Sequence, residues 1–497
     1  MSMRKALSKK RCTGCAGAVL PSFLAVALLG WAPTVAARDY KVDGGVSVGY
    51  ERYDRQYDKN KNLNAASGTG VVTTTEDLTA LQNDEYDRFR VAPLIDISSV
   101  TARDEVSFHY SPSFHYDYET YDHDVDHDLS AKFNRFLTRN WQLKLSEKYL
   151  LTDAALDQSA TKANSSVQLS DNTGRRKYRT NDLGFVSEYR YWEDSLFTLG
   201  YTYDLLDNID VKAGSGFQNY DRHEASLSVV HRFDSIWKLT ATAKYVRGLY
   251  DTVAAEKATT GENIDQDLSE YRASTMLESS LIDHHPLSLT YSYLGIDYDQ
   301  VNRDSSFLHD VTAGWRWEVS KDFQITLGGG PSYQVTEGKT GNWGYNANAG
   351  LKYTLEHSTF EVTATHGYDW QNFTGTNDNG LLKFSQARID YQYEILKDLT
   401  LRMFTSYRYE DQEEIISQRN AAFTVGTTTD NQPLTETTII NRQRFAIGTS
   451  AGYHFWRWYT LNLSYDYSLQ DSEKANDSYD EHRVVLSLLM EKNLFSW

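Results

Sequence analysis

The sequence predicts an all-β chain: a transmembrane, antiparallel, up-and-down β-barrel of about 20 strands, between about 18 and 22. Three observations carry this. Apolar and polar residues alternate with a period of two through some twenty segments. Long and short connections alternate between those segments. Tryptophans gather beside the short connections.

Glu105 to Asp117 shows the period. Val106, Phe108, Tyr110, Pro112, Phe114 and Tyr116 share one parity, while Glu105, Ser107, His109, Ser111, Ser113, His115 and Asp117 share the other. Successive side chains of a strand point to opposite faces, so this segment has one apolar and one wet face. The same holds for Phe89, Val91, Pro93, Ile95 and Ile97 against Arg88, Arg90, Asp96 and Ser98. It holds again for Leu401, Met403, Thr405, Tyr407 and Tyr409, and for Tyr459, Leu461, Leu463, Tyr465 and Tyr467. Glu147 and His366 are exceptions that fall on lipid-side parities.

The bulk composition suits a wall that is wet on one side only. Mean hydropathy is negative, yet the chain holds 35 Tyr, 20 Phe and 11 Trp. A helical membrane protein would need repeated apolar runs of about twenty residues. One such run exists, at the N-terminus. Arg4, Lys5, Lys9, Lys10 and Arg11 precede a mostly apolar stretch from Ala16 to Trp31, and Val35-Ala36-Ala37 forms a small-residue cleavage pattern. Residues 1–37 therefore read as a cleaved secretory signal, and 38–497 as a single barrel domain. Losing those five cations moves the formal net charge from −18 to −23. That acidity argues against nucleic acid as a partner, which needs a basic footprint. Cys12 and Cys15 leave with the signal, so the mature chain is expected to have no disulfide and no catalytic or metal-binding thiolate.

Strand one is expected from Val42 to Tyr57, and its neighbour from Arg88 to Val100. Short links follow near Ala102-Arg103-Asp104, Thr138-Arg139-Asn140, Glu193-Asp194, Asp234-Ser235, His284-His285, Lys321-Asp322, His357-Ser358, Lys397-Asp398 and Arg457. Longer links are expected at Asp58 to Glu85, Asp122 to Asp126, Ala155 to Arg176, Ile209 to Tyr220, Val253 to Asp267, Val301 to Ser305, Lys339 to Gly341, Thr376 to Gly380, Glu413 to Thr437 and Lys474 to Glu481. Short turns face the periplasm in outer-membrane barrels and long loops face outward, which puts both termini on the periplasmic side. Trp141, Trp192, Trp237, Trp317, Trp456, Trp458 and Trp497 sit near the short turns or terminus and suggest an inner aromatic girdle. Tyr116, Tyr118, Tyr201, Tyr203 and Tyr298 suggest the outer one. The chain ends with Phe495 and Trp497 two apart, in phase with Val485 and Leu489 unless a bulge around Glu491 to Asn493 intervenes.

With its Tyr-rich strands (GYERYDRQYD, Gly49 to Asp58), acidic loops and aromatic end, the chain resembles the β-barrel porin families of the bacterial outer membrane. The resemblance implies outer-membrane lipid and lipopolysaccharide as surroundings, insertion by the barrel assembly machinery, and a channel. It transfers no functional residue.

About sixteen to eighteen strands already leave an aqueous channel. The first strand begins a few residues after the cleavage site, so no plug domain is expected. The predicted lumen wall mixes signs: Lys144, Lys148, Lys238, Lys244, Arg316, Arg388, Arg402 and Arg408 against Asp96, Glu278, Glu318, Glu361, Asp390 and Glu394. Such charges orient polar solutes or simply keep the wall wet. The long loops Asp58 to Glu85, Ala155 to Arg176 and Glu413 to Thr437 could fold inward or project. The run Asp122-His123-Asp124-Val125-Asp126-His127-Asp128 is the best metal candidate, on a predicted outer loop, with a solvated loop as the plain alternative. No GxSxG, HExxH or phosphate-binding loop occurs, so no enzyme, catalytic residue or cofactor is expected. Three functions remain open: a channel for polar solutes or an exported polymer; a sleeve housing a partner such as a multihaem cytochrome; and a surface receptor or adhesin.

Overall fold

The computed structural model describes residues 39–57, 84–153, 176–209, 218–251, 267–299, 304–375, 380–418, 434–473 and 477–496. Residues 1–37, the expected signal, together with Trp497 and the links 58–83, 154–175 and 419–433, lie outside the described residues. Those described form one 20-stranded sheet. Each strand pairs antiparallel with the next, from β1 (Asp39–Tyr57) and β2 (Asp84–Val100) to β19 (Tyr459–Ser472) and β20 (Tyr479–Ser496). β20 then pairs with β1, Tyr57 opposite Tyr479 and Lys41 opposite Ser496. The ring is closed, and among the described residues no strand is left as a free edge, a requirement in hydrocarbon.

Nine short links and ten long ones alternate between the strands as predicted, two of the long ones with bounds other than those expected. The links after β2 and β6 (Lys177–Trp192) are three and two residues long by the strand bounds. Asp194 takes a positive φ of 55° in the second of these. The reversal there needs left-handed backbone, which Asp tolerates better than most residues.

The register fixes which face each residue takes. Leu461 stands between Leu488 and Tyr453 on the outer face, and Asn462 between Ser487 and Gly452 on the inner one. Ile95, Ile97, Leu327, Met403, Leu463 and Leu486 are exposed outward. Trp141, Trp192, Trp456 and Trp458 are exposed near the short-link end. Trp315 and Trp317 stack there at 5.9 Å, and Lys492 sits 4.4 Å from the Trp458 ring. An aromatic girdle thus stands at the short-link end, where the tryptophan spacing predicts one.

Four expectations need correction. Asp122 to Asp126 is not a loop: the turn lies at 118–122, and β4 (His123–Phe136) begins at His123. β17 (Leu399–Gln418) and β18 (Leu434–Phe455) stay paired up to Gln418 opposite Leu434, which shortens the predicted Glu413 to Thr437 loop at both ends. Tyr298 pairs with Leu268 on the inner face and leaves the outer girdle. At the C-terminus the bulge is real but lies at Leu494: Asn493 pairs with Asp43 and Phe495 with Val42. Val485 and Leu489 therefore face the lumen, opposite Glu51 and Ser47, while Leu486 and Leu488 face outward. The extra residue returns Phe495 to the outer face.

Sequence periodicity also missed a repeat in the outer face. Tyr201, Tyr291 and Tyr465 bond His223, His309 and His482 across the following long link, hydroxyl to Nδ1, at 2.8, 2.9 and 3.0 Å. In each case a second tyrosine two residues on (Tyr203, Tyr293, Tyr467) leans on the same imidazole. The histidine is the fourth residue of its strand each time. The signal was legible: Tyr-x-Tyr, a link, then His at position four.

Candidate functional site

The lumen wall begins from residues the period placed inward. Six of the eight predicted cations meet carboxylates, three on a neighbouring strand and three on their own. Lys144 reaches Glu188 at 2.6 Å, Lys244 reaches Glu224 at 2.9 Å, and Lys238 lies 3.9 Å from Glu278. Arg388 binds Asp390 on its own strand at 2.7 Å, Arg316 lies 3.6 Å from Glu318, and Arg408 binds Glu410. Asp96 takes His109 at 2.7 Å. Arg402 has no ion pair among the described residues. It lines a recess of about 630 Å³ on the β15 (Ser358–Gln371) to β20 wall, with Glu361, Arg388, Phe404 and Asp466.

Toward the long-link end the wall changes character. Inward residues there are buried rather than wet: Tyr53, Arg55, Tyr86, Arg88, Leu206, Tyr220, Val246, Leu268, Glu270 and Ile296. Leu206, Tyr220, Val246, Leu268 and Ile296 belong to one apolar cluster, inside the barrel. What joins that cluster from across the lumen is the link after β15, residues 372–375.

Asn372 and Phe373 are both 0 % exposed. The Phe373 ring lies 5.2 Å from Tyr220, edge-on, and 5.9 Å from Tyr250, stacked. The Arg222 guanidinium sits 5.2 Å from its centroid. Tyr250 donates its hydroxyl to the Asn372 carbonyl oxygen. The Asn372 amide donates to Glu270 Oε1 at 2.6 Å, and Tyr298 donates to Asn372 Oδ1 at 3.3 Å. Gln218 N–H donates to the Gly375 carbonyl at 2.8 Å. Arg272 on β10 (Leu268–Ser279) lies 3.8 Å from Asp369 on β15. The strap between β15 and β16 (Gly380–Leu396) is thus tied to β8 (Tyr220–Arg232), β9 (Trp237–Tyr250), β10 and β11 (Leu287–Tyr298), four to seven strands from β15 round the ring.

The geometry decides what this does to the bore. Twenty strands about 4.8 Å apart, tilted by about 40°, would enclose a circle about 40 Å across. Strands five apart would then stand about 28 Å from each other, which one Arg and one Asp cannot bridge. The long-link end of the bore is therefore narrowed between β10 and β15, where β15 beyond His366 has left its pairing with the preceding strand, and the strap occupies part of what remains. Gly248 makes room for it: a Cβ there would meet the Phe373 ring at 2.8 Å. The loops nominated from length as inward folders were others, so the strap is a position that loop length did not reveal.

The acid–histidine run divides between the faces of β4. Asp124, Asp126 and Asp128 point inward, and His123, Val125 and His127 outward, with His127 3.1 Å from the Tyr110 hydroxyl. Carboxylate oxygens of Asp124, Asp126 and Asp153 lie within 4.8 Å of one another, the one such group among the described residues. Each already meets a partner: Lys177 at Asp124, His115 at 2.7 Å and Thr152 at 2.9 Å on Asp126, and Arg88 at 3.0 Å on Asp153. Burial pushes the Asp153 carboxyl above the usual range, with Arg88 opposing it. Asp124 and Asp153 are thus ion-paired to Lys177 and Arg88, and Asp126 is hydrogen-bonded to His115 and Thr152. His284 lies beyond β10 in the link 280–286, 3.9 Å from Glu318, while His285 stacks on Trp315.

No family model matches this sequence, and no curated protein matches it. Among solved structures it is similar to the siderophore receptor PirA from Pseudomonas aeruginosa, at 9% identity and TM-score 0.47, over 91% of this chain and 80% of that one. It is similar to OccK2 (OpdF) of Pseudomonas aeruginosa in complex with glucuronate, at 11% identity and TM-score 0.39, over 92% and 98%. It is also similar to a BenF-like porin from Pseudomonas fluorescens Pf-5, at 10% identity and TM-score 0.40, over 91% and 99%. The chain's own closed ring of strand pairs, with an apolar outer face, makes it a twenty-stranded transmembrane barrel.

Proposed function

We propose that the chain is a bacterial outer-membrane channel for small polar solutes, narrowed at its long-link end by the 372–375 strap. The observation that carries this is the pairing of a charged lumen wall with a tether that crosses the bore. A sleeve for a folded cytochrome needs an unobstructed bore, and the tie from Asp369 and Asn372 to β10 opposes that reading. The short links and both termini are placed in the periplasm on the usual geometry of such barrels.

Reconstitution tests it. Purified barrel in planar bilayers should give discrete conductance steps, and proteoliposomes should swell in small sugars and exclude large ones. A barrel with heat-modifiable gel migration that passes neither ions nor sugars would defeat the proposal.

A further inference from the structure

The charges of the lumen wall are mostly spoken for by one another. Asp96, Glu278, Glu318, Asp390 and Glu394 each meet an arginine, lysine or histidine. Glu361 makes neither an ion pair nor a hydrogen bond among the described residues. Of the predicted cations, Arg402 and Lys148 make no ion pair among the described residues. Glu361 and Arg402 line the same recess of about 630 Å³. Each is the fourth residue of its strand, β15 and β17, counted from a short link, so the recess lies at the other end of the bore from the strap.

The register holds the two apart. Glu361 stands opposite Asp390, and Asp390 opposite Phe404, two residues from Arg402. With strands about 4.8 Å apart and a rise of about 3.4 Å per residue, their backbones are about 12 Å from each other. The wall between them is fixed and internally paired. Arg388 donates Nε and Nη2 to the Asp390 carboxylate, both at 2.7 Å, and its guanidinium lies 4.6 Å from the Phe404 centroid. Asp466 stands opposite Arg483, which also binds Glu51 at 2.7 Å. The floor is cut by small residues, Gly448, Ser450 and Ser464, and a Cβ at Gly448 would run into the Phe404 ring and Asp466. Arg402 is exposed and Glu361 partly exposed, so both are open to a solute in the lumen.

We propose that this recess is a subsite for a small zwitterion, whose carboxylate meets Arg402 and whose ammonium group meets Glu361. The inference rests on the channel reading above. A carboxylate takes two parallel N–H donors from a guanidinium, which fixes the direction of the solute as well as its place. A simple anion would satisfy Arg402 but face Glu361 and Asp466, and a simple cation would do the reverse. A solute with both charges answers both residues, and an uncharged one of equal size answers neither.

Uptake into proteoliposomes of the reconstituted protein tests this with glycylglycine and its uncharged analogue N-acetylglycinamide. Neither carries net charge, so no membrane potential builds up against entry. At low concentration glycylglycine should enter about tenfold faster, the ratio that about 1.4 kcal/mol of preference gives. The ratio should fall toward one as glycylglycine is raised and the subsite fills. N-acetylglycine and glycinamide, with one charge each, should compete with glycylglycine about tenfold more weakly than glycylglycine competes with itself. Arg402→Gln and Glu361→Gln should each bring the uptake ratio to about one. The uncharged solute is the reference within each barrel, so differences in folded protein and bore width cancel. Equal uptake of the two solutes by the parent, a ratio unchanged in both variants, or N-acetylglycine competing as well as glycylglycine would each overturn the subsite and leave the channel standing. A barrel that carries no current and admits neither solute would overturn the channel, and the subsite with it.

Discussion

Phe373→Ala tests the strap at its strongest point. The ring is wholly buried against Tyr220, Tyr250 and Arg222. Truncating a buried Phe to Ala costs about 3–5 kcal/mol in well-packed cores. The anchors that remain, Asn372 to Tyr250, Glu270 and Tyr298, are hydrogen bonds worth about 0.5–1.5 kcal/mol each and somewhat more to the Glu270 charge. Phe373 thus supplies the largest share of the attachment. A loss of about 3–4 kcal/mol raises the lifted fraction of the strap by about two to three orders of magnitude. The barrel's hydrogen-bonded ring does not depend on that residue, so folding should be intact. In planar bilayers the variant should show a higher mean conductance and longer openings than the parent, and swelling assays should admit larger sugars. A folded Phe373→Ala barrel with the parent's current trace and size limit would refute the reasoning.

Other consequences follow from the same geometry. Gly248→Ala puts a methyl where the Phe373 ring lies, so it should reproduce the Phe373→Ala current without touching the strap. Gln218→Cys with Gly375→Cys places a disulfide where backbone groups already meet at 2.8 Å; oxidation should suppress opening, and dithiothreitol should restore it. Glu147→Leu removes an unpartnered carboxyl from the apolar belt and should stabilise the isolated barrel by about 1–2 kcal/mol in urea unfolding from bilayers.

The strands were legible because each wall residue answers to one of two solvents, and the choice alternates. That logic carried Phe89 to Ile97 and Tyr459 to Tyr467 to their observed faces. It weakened where both faces are polar or aromatic. His123 to Asp128 reads as a hydrated loop because the inward face of β4 is itself acidic, and Tyr298 reads as girdle because a tyrosine suits an interface or a lined bore equally. At Leu494 one inserted residue reversed the parity, which a bulge always does and a period alone cannot locate. The strap left the faintest trace: a Phe beside Asn in a link too short to draw attention. Its role depends on residues more than a hundred positions away, Tyr250 and Gln218, and no local pattern encodes that meeting.

The orientation of side chains along one strand examines the whole account. Single cysteines at Leu461, Asn462, Leu463, Ser464 and Tyr465 of β19, in the reconstituted barrel, can be reacted with a charged, membrane-impermeant maleimide and, separately, quenched by a lipid-borne spin label after fluorescent tagging. Positions 462 and 464 should react with the aqueous reagent and escape the quencher, while 461, 463 and 465 should do the reverse. Uniform aqueous labelling at all five would contradict a wall with acyl chains on one side and water on the other.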